Sequence, residues 1–164
     1  MPTGSLTIEQ VLTLLAATPA QLAALSDGLT PAELCRAPRH DEWSANDVLA
    51  HLRACADVWG NCIARIIAED KPTLRAVSPR TWIKKTDYLD LEFQPSLHSF
   101  AGQRTDLLSL LEPLSHDAWA RAATVTGAGN ILEWTVLFYA ERLALHERTH
   151  IKQIEQIVAA IHSL

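Results

Sequence analysis

His146 and His150 stand four residues apart in the string "LALHERTHIKQI", residues 143–154, which holds no glycine or proline to stop a helix. Four residues advance a helix by about 400°, so the two rings fall roughly 40° apart on one face. Imidazoles placed in this way can grip one divalent ion, but two of them cannot close its coordination shell. The same H-E-x-x-H string occurs in zinc proteases, where the glutamate is the general base and a third ligand follows downstream. Here only 14 residues follow His150, position 156 is Gln156, and His162 lies about 120° round the helix from His150. There is no room for a further ligand-bearing helix, and no strand edge is visible to hold an extended peptide. Glu147, about 100° from His146, reads as a surface group or a support for the ligands rather than a general base. The protease reading is therefore disfavoured, and the third ligand has to come from upstream.

The upstream candidates are His40, His51, His98 and His116. His40 and His116 fall in expected connections, and His98 sits near a helix start at the rim of an apolar face. Only His51 lies well inside a long helix on its buried arc. That helix follows from "EWSANDVLAHL": Ser44 is a cap, Asp47 its acidic return partner, and Trp43 is placed to staple against Val48. It runs to about Glu69, with Leu52, Cys55, Trp59, Cys62 and Ile66 within roughly 40° of Val48 on the wheel and His51 inside the same arc. A lone inward histidine is commonly a hydrogen-bonded core residue. Taken with His146 and His150, His51 instead completes a three-histidine site between two helices of a bundle.

Further helices frame these two. Thr7 with Gln10 opens a first helix that keeps phase past Pro19, as one kinked helix or two short ones in line, and "TPAE" at residues 30–33 opens a short second one. Residues 70–94 read as a long connection with a turn of helix around Trp82, a length that often covers a site. Pro95 opens another long helix, "ATVTGAGN" reads as a loop, and the last helix runs from Ile131 to the C-terminus. With no convincing period-two pattern, four long amphipathic helices imply an all-α four-helix bundle forming one domain over residues 1–164.

Composition narrows the function classes. Fourteen basic and 19 acidic residues give a net charge of -5, without the basic face of a nucleic-acid binder. No uncharged apolar run approaches the roughly 20 residues of a membrane span, and the first residues lack a signal pattern, so a cytoplasmic protein with no membrane partner is expected. Cys35, Cys55 and Cys62 are an odd set without a pairing pattern, expected as free thiols.

The chain resembles the DinB/YfiT-like superfamily of metal-binding four-helix bundles over nearly its whole length. "EWSANDVLAHL" is similar to that family's W-S-x-x-[DE]-[VIL]-x-x-H-[LI] segment, "DKPTLRAVSP" to the stretch after its second helix, and "HERTHIKQI" to its terminal H-x-x-x-H-x-x-Q. The resemblance makes His51, His146 and His150 the metal triad. It also implies an activity among those of known members: S-transferases that use a low-molecular-weight thiol such as bacillithiol or mycothiol, maleylpyruvate isomerases, and proteins described as metal-dependent hydrolases. Three neutral imidazoles leave the ion its full double charge, which would strongly depress the pKa of a bound water or thiol. Imidazole suits zinc, nickel, copper and iron, and zinc or nickel is expected ahead of iron or manganese.

Several other residues have both a functional and a structural reading. Arg104, in the middle of an apolar helix face, must either anchor a substrate or cofactor carboxylate or pair with an acid on a neighbouring helix. Arg142, about 40° from His146, has the same two readings. Gln153 could orient a ligand or satisfy a backbone group, Tyr139 could line the pocket or fill the core, and Cys55 could be a fourth ligand or a small apolar residue. Leu137, Ala144, Ile151 and Val158 recur every seven residues opposite the histidines. That stripe would be covered by a second copy in a homodimer, by the N-terminal segment, or by the long connection. The expected function is a metalloenzyme acting on a small molecule, the alternative a metal-stabilised bundle that binds a ligand or partner without catalysis.

Overall fold

The computed structural model describes residues 5–163. Three helix starts follow reciprocal caps that satisfy first-turn N–H groups. Thr7 and Gln10 cap α1 (Ile8–Ser26), Thr30 and Glu33 cap α2 (Pro31–Leu34), and Ser44 and Asp47 cap α3 (Ala45–Ala68). A short strand β1 (Thr73–Arg75) and the single turn α4 (Pro79–Trp82) come next, then 3-10 turns over Ile83–Lys85 and Tyr88–Asp90. After them come α5 (Phe93–Leu111), α6 (His116–Trp119), β2 (Ala122–Thr126), β3 (Leu132–Thr135) and α7 (Val136–His162). Helix α5 begins two residues before the expected Pro95. That places the proline in the first turn, where its missing N–H is not needed.

The long helices α1, α3, α5 and α7 form the four-helix bundle. Both α5 and α7 pack chiefly against α1 and α3, so α5 and α7 stand diagonally across it. Val11, Leu15, Cys55, Leu107 and Leu143 fill one level of the interior, and Leu22, Leu49, Phe93, Phe100 and Ile154 another. Each such side chain contributes about 2 kcal/mol by leaving water.

A charged pair crosses that diagonal. Arg104 Nη1 donates to Glu147 Oε1 over 2.8 Å, and Nη2 donates to Oε2, with the two side chains 3% and 0% exposed. Arg104 Nη1 also donates to the carbonyl of Leu15 over 2.8 Å, and Thr18 Oγ1 donates to Glu147 Oε1 over 3.0 Å. The Leu15 carbonyl is the one residue 19 would serve in an unbroken helix, and Pro19 has no N–H to give. Helix α1 therefore passes through Pro19 as one element, and the acceptor left free is taken by the guanidinium. Arg104 is thus the structural partner of an acid and not a substrate anchor. Glu147 is a core residue rather than the surface or supporting group expected from its wheel position, because α7 is buried on more than one side.

Two boundaries differ from the sequence expectation. Residues 122–126 and 132–135, expected as loop and helix, form a small sheet of order β1-β2-β3. Leu74 pairs with Val125 in the parallel half, and Thr124 with Glu133 in the antiparallel half. The strands are three to five residues long, too short for alternation to stand out, although Ala123 and Val125 do alternate inward. Gly127 and Gly129 take φ of 85° and 91° in the connecting turn, a region that side chains resist. The last helix consequently starts at Val136, where Thr135 Oγ1 accepts the Phe138 N–H over 3.0 Å.

The seven-residue stripe on α7 is covered from within the chain. Ala144 and Ile151 are 2% and 7% exposed, in clusters shared with Val11, Leu15 and Leu22 of α1. Of the arrangements anticipated for this stripe, the structure has the N-terminal helix packed there. Helix α1 is also the one described helix long and apolar enough to cross a membrane by length and composition, with mean hydropathy 1.3 over its apolar window. In the fold its inner face, Val11, Leu15, Thr18 and Leu22, is buried.

Losing one partner of the diagonal pair leaves a buried charge uncompensated, which costs about 3–5 kcal/mol. Arg104→Met and Glu147→Gln are each expected to lower unfolding stability by that order in urea titrations. The double replacement Arg104→Met with Glu147→Leu should lose much less than the sum of the two.

Candidate metal centre

His51 projects from α3, and His146 and His150 from the facing side of α7. His51 Nε2 lies 2.9 Å from His146 Nε2, which lies 3.1 Å from His150 Nε2. The three ring centroids are 4.4–5.1 Å apart. His150 Nδ1 donates to Gln153 Oε1 over 2.7 Å, so its Nε2 carries a lone pair. One proton on His146 Nε2 can then serve only one of its two neighbours. A cation shared among the three nitrogens serves all of them, and ligands held at about 2.1 Å from one ion sit roughly 3 Å apart. The donors therefore fit a divalent metal.

Cys55 stands one turn after His51, its Sγ 3.5 Å from His51 Nε2, and the donor atoms of His51, Cys55 and His146 lie within 4.8 Å of one another. Burial, reinforced by the charge of Glu147, pushes the Cys55 thiol up to about 12, so on its own it stays protonated at neutral pH. Burial and the neighbouring His150 lower His51 to about 4, and the same two causes lower His146 to about 4. Both imidazoles are thus held in the neutral form a metal requires.

Tryptophans wall the rings. Trp43 stacks on His150 at 14° and 6.4 Å and tilts against His51 at 5.3 Å, while Trp59 presents itself edge-on to His146 at 5.2 Å. A cavity of about 740 Å³ reaches the site, with Trp43, Arg80, His150, Gln153 and Gln156 in its lining. A larger cavity of about 810 Å³ lies between α3, α5 and β1, but no histidine lines it. Of the three histidines, His150 lines the smaller one.

The sequence profile of the DinB superfamily matches residues 14–154. The chain belongs to that superfamily. Its fold is similar to that of YfiT from Bacillus subtilis, described as a probable metal-dependent hydrolase with an unusual four-helix bundle topology. The TM-score is 0.78 at 20% identity, over 96% of this chain and 90% of that one. A comparison with curated proteins returns no match.

Within this DinB-superfamily bundle the other sequence candidates separate. Gln153 is at the centre, through His150. Arg142 is exposed, its guanidinium 5.0 Å from the Trp59 ring and 5.9 Å from Trp134, and its charge reaches His146. Tyr139 is 2% exposed and packs on Trp134 and Phe138, which makes it core and not cavity wall. Arg104 is committed to Glu147.

Three contributors escaped the sequence reading. Trp43 was expected as a staple on Val48, yet it lies over the imidazoles, and its place before the Ser44 cap puts it outside any helical-wheel reading. Asp57 accepts from Trp82 Nε1 over 3.0 Å, Tyr88 Oη over 2.6 Å and Gln103 Nε2 over 2.6 Å, which ties the connection after α3 back onto the bundle. Arg80, in α4 of that connection, reaches the cavity, and nothing in its sequence neighbourhood marks it.

The depressed histidines give the metal-free protein a pH dependence with a definite sign. In the unfolded chain His51 and His146 bind protons near 6.5, in the fold near 4, so between those values the unfolded state holds more protons. Chelator-treated protein should keep full stability above pH 6.5 and lose it progressively as pH falls toward 4. Urea midpoints across that range check this, and His51→Asn should flatten the slope.

Proposed function

We propose that this DinB-superfamily protein is a metal-dependent enzyme for a small-molecule substrate, with a divalent ion, zinc or nickel first, held by His51, His146 and His150. The carrying observation is that His146 Nε2 lies 2.9 Å from His51 Nε2 of the facing helix and 3.1 Å from His150 Nε2, with His150 oriented by Gln153. When bound, such an ion supplies a double positive charge that lowers the pKa of a coordinated water or thiol.

The surrounding residues favour transfer of a low-molecular-weight thiol. Of the groups described against the three rings, Trp43, Trp59, Cys55 and Gln153, none is a carboxylate. Glu147, the glutamate of the H-E-x-x-H string, is locked onto Arg104 and cannot take a proton from water. A thiol ionised by the cation needs no such base. Trp43 and Trp59 lie against the rings, and the cavity beside His150 gives an electrophile a way in. Hydrolysis of a small ester or amide is the second reading, favoured by the fold shared with YfiT.

Metal analysis of the purified protein should find an ion that His51→Ala and His150→Ala lose and Cys55→Ala keeps; unchanged content in the histidine variants would refute the centre. Gln153→Ala should weaken metal affinity about 10–100-fold. The loaded protein should then turn over electrophiles with bacillithiol, mycothiol, glutathione or coenzyme A. If neither a thiol nor an ester is consumed, the bundle is a metal-stabilised binding module and not an enzyme.

A further inference from the structure

All three ligands are neutral, and two guanidiniums flank them. Arg142 stands on the Trp59 side, its guanidinium 5.0 Å from that ring, and Arg80 lines the cavity that His150 borders. Placing cations beside a dication is unfavourable by Coulomb repulsion unless an anion comes between them. Arg142 is engaged with the faces of Trp59 and Trp134.

The cavity wall itself carries four charged groups, Arg39, Arg80, Asp41 and Glu42. Arg39 is 3.8 Å from Glu42 and turned to it. Arg80 has no ion-pair partner among the described residues, and it is the free cation of this wall, as Asp41 is its free anion. Its backbone is fixed. Ser78 Oγ accepts the Arg80 N–H over 3.3 Å, and Trp82, two residues on, is tied to Asp57 of α3. Arg80 is therefore carried to the cavity by an anchored turn, with Gln153, Gln156 and Trp43 on the same wall.

Resting on the metal-centre reading above, we infer that Arg80 selects the ligand of this cavity: a small molecule that carries a carboxylate or similar anionic group a few atoms from the atom offered to the metal. A guanidinium gives a carboxylate two parallel donors, so it fixes orientation as well as charge. This is the anchoring role the sequence suggested for Arg104, moved to a residue that is free to perform it.

The test uses the full chain loaded with cobalt(II) and three thiols of similar size, mercaptoacetate, 2-mercaptoethanol and cysteamine. Binding is read from the thiolate-to-cobalt absorption that grows on titration. Mercaptoacetate should be preferred over 2-mercaptoethanol, and Arg80→Gln should cut that preference about fivefold while leaving 2-mercaptoethanol affinity unchanged. Cysteamine should bind better to Arg80→Gln than to the parent protein, a reversal that loss of structure would not produce. Arg80→Lys should retain part of the preference, and Arg39→Gln should move it little. An unchanged preference in Arg80→Gln, or an equal loss in Arg39→Gln, overturns the inference and leaves the metal centre standing. A folded protein that takes up no cobalt overturns both.

Discussion

The Arg104–Glu147 pair fixes how the bundle is wound. Helices α5 and α7 are not close neighbours, yet two long side chains meet across the interior and draw in the Leu15 carbonyl and the Thr18 hydroxyl of α1. Glu147 sits between the two histidines of α7 in sequence, about 100° from His146 on the helix. Once its carboxylate is tied to the bundle axis, α7 can rotate little, and His146 and His150 are turned toward α3. An apolar core alone tolerates small helix rotations; a bidentate buried pair does not. The proline in α1 belongs to the same device, since an ordinary residue at position 19 would claim the carbonyl that Arg104 uses.

Around this frame the chemistry is built by subtraction. The one glutamate in the histidine motif is removed from reach by the core, and burial keeps His51 and His146 unprotonated and Cys55 protonated. What remains against the rings is aromatic, amide or thiol. Such surroundings preserve the charge of a bound ion and suit a nucleophile that the ion itself ionises. They also explain how H-E-x-x-H can stand in an unrelated bundle with a different meaning: the string is read by what the glutamate can touch.

The segment between α3 and α5 links frame and site. It has little regular structure, and its order depends on Asp57, whose two oxygens accept from Trp82, Tyr88 and Gln103. Through that carboxylate a loop of modest core contact gains a fixed place over the bundle, and with it Arg80. The shared fold with YfiT shows how far the architecture holds at 20% identity.

By itself the sequence determined the helices and the ligand pair. Caps at Thr7, Thr30 and Ser44 are local hydrogen-bond patterns, and the spacing of His146 and His150 is a consequence of helix pitch; neither needs a partner element to be legible. The inward arc of α3 likewise marked His51. Tertiary structure alone decided the rest. Short strands at residues 122–126 and 132–135 exist because they pair with each other and with residues 73–75, a non-local fact invisible in runs of three to five residues. A helical wheel placed Arg104 and Glu147 on faces but could not say that those faces meet across a diagonal. Nor could it say that Trp43 turns onto the imidazoles, or that an anchored turn carries Arg80 to the cavity. Pitch is encoded within a few residues, whereas the pairing of distant side chains is fixed only when the helices have chosen their neighbours.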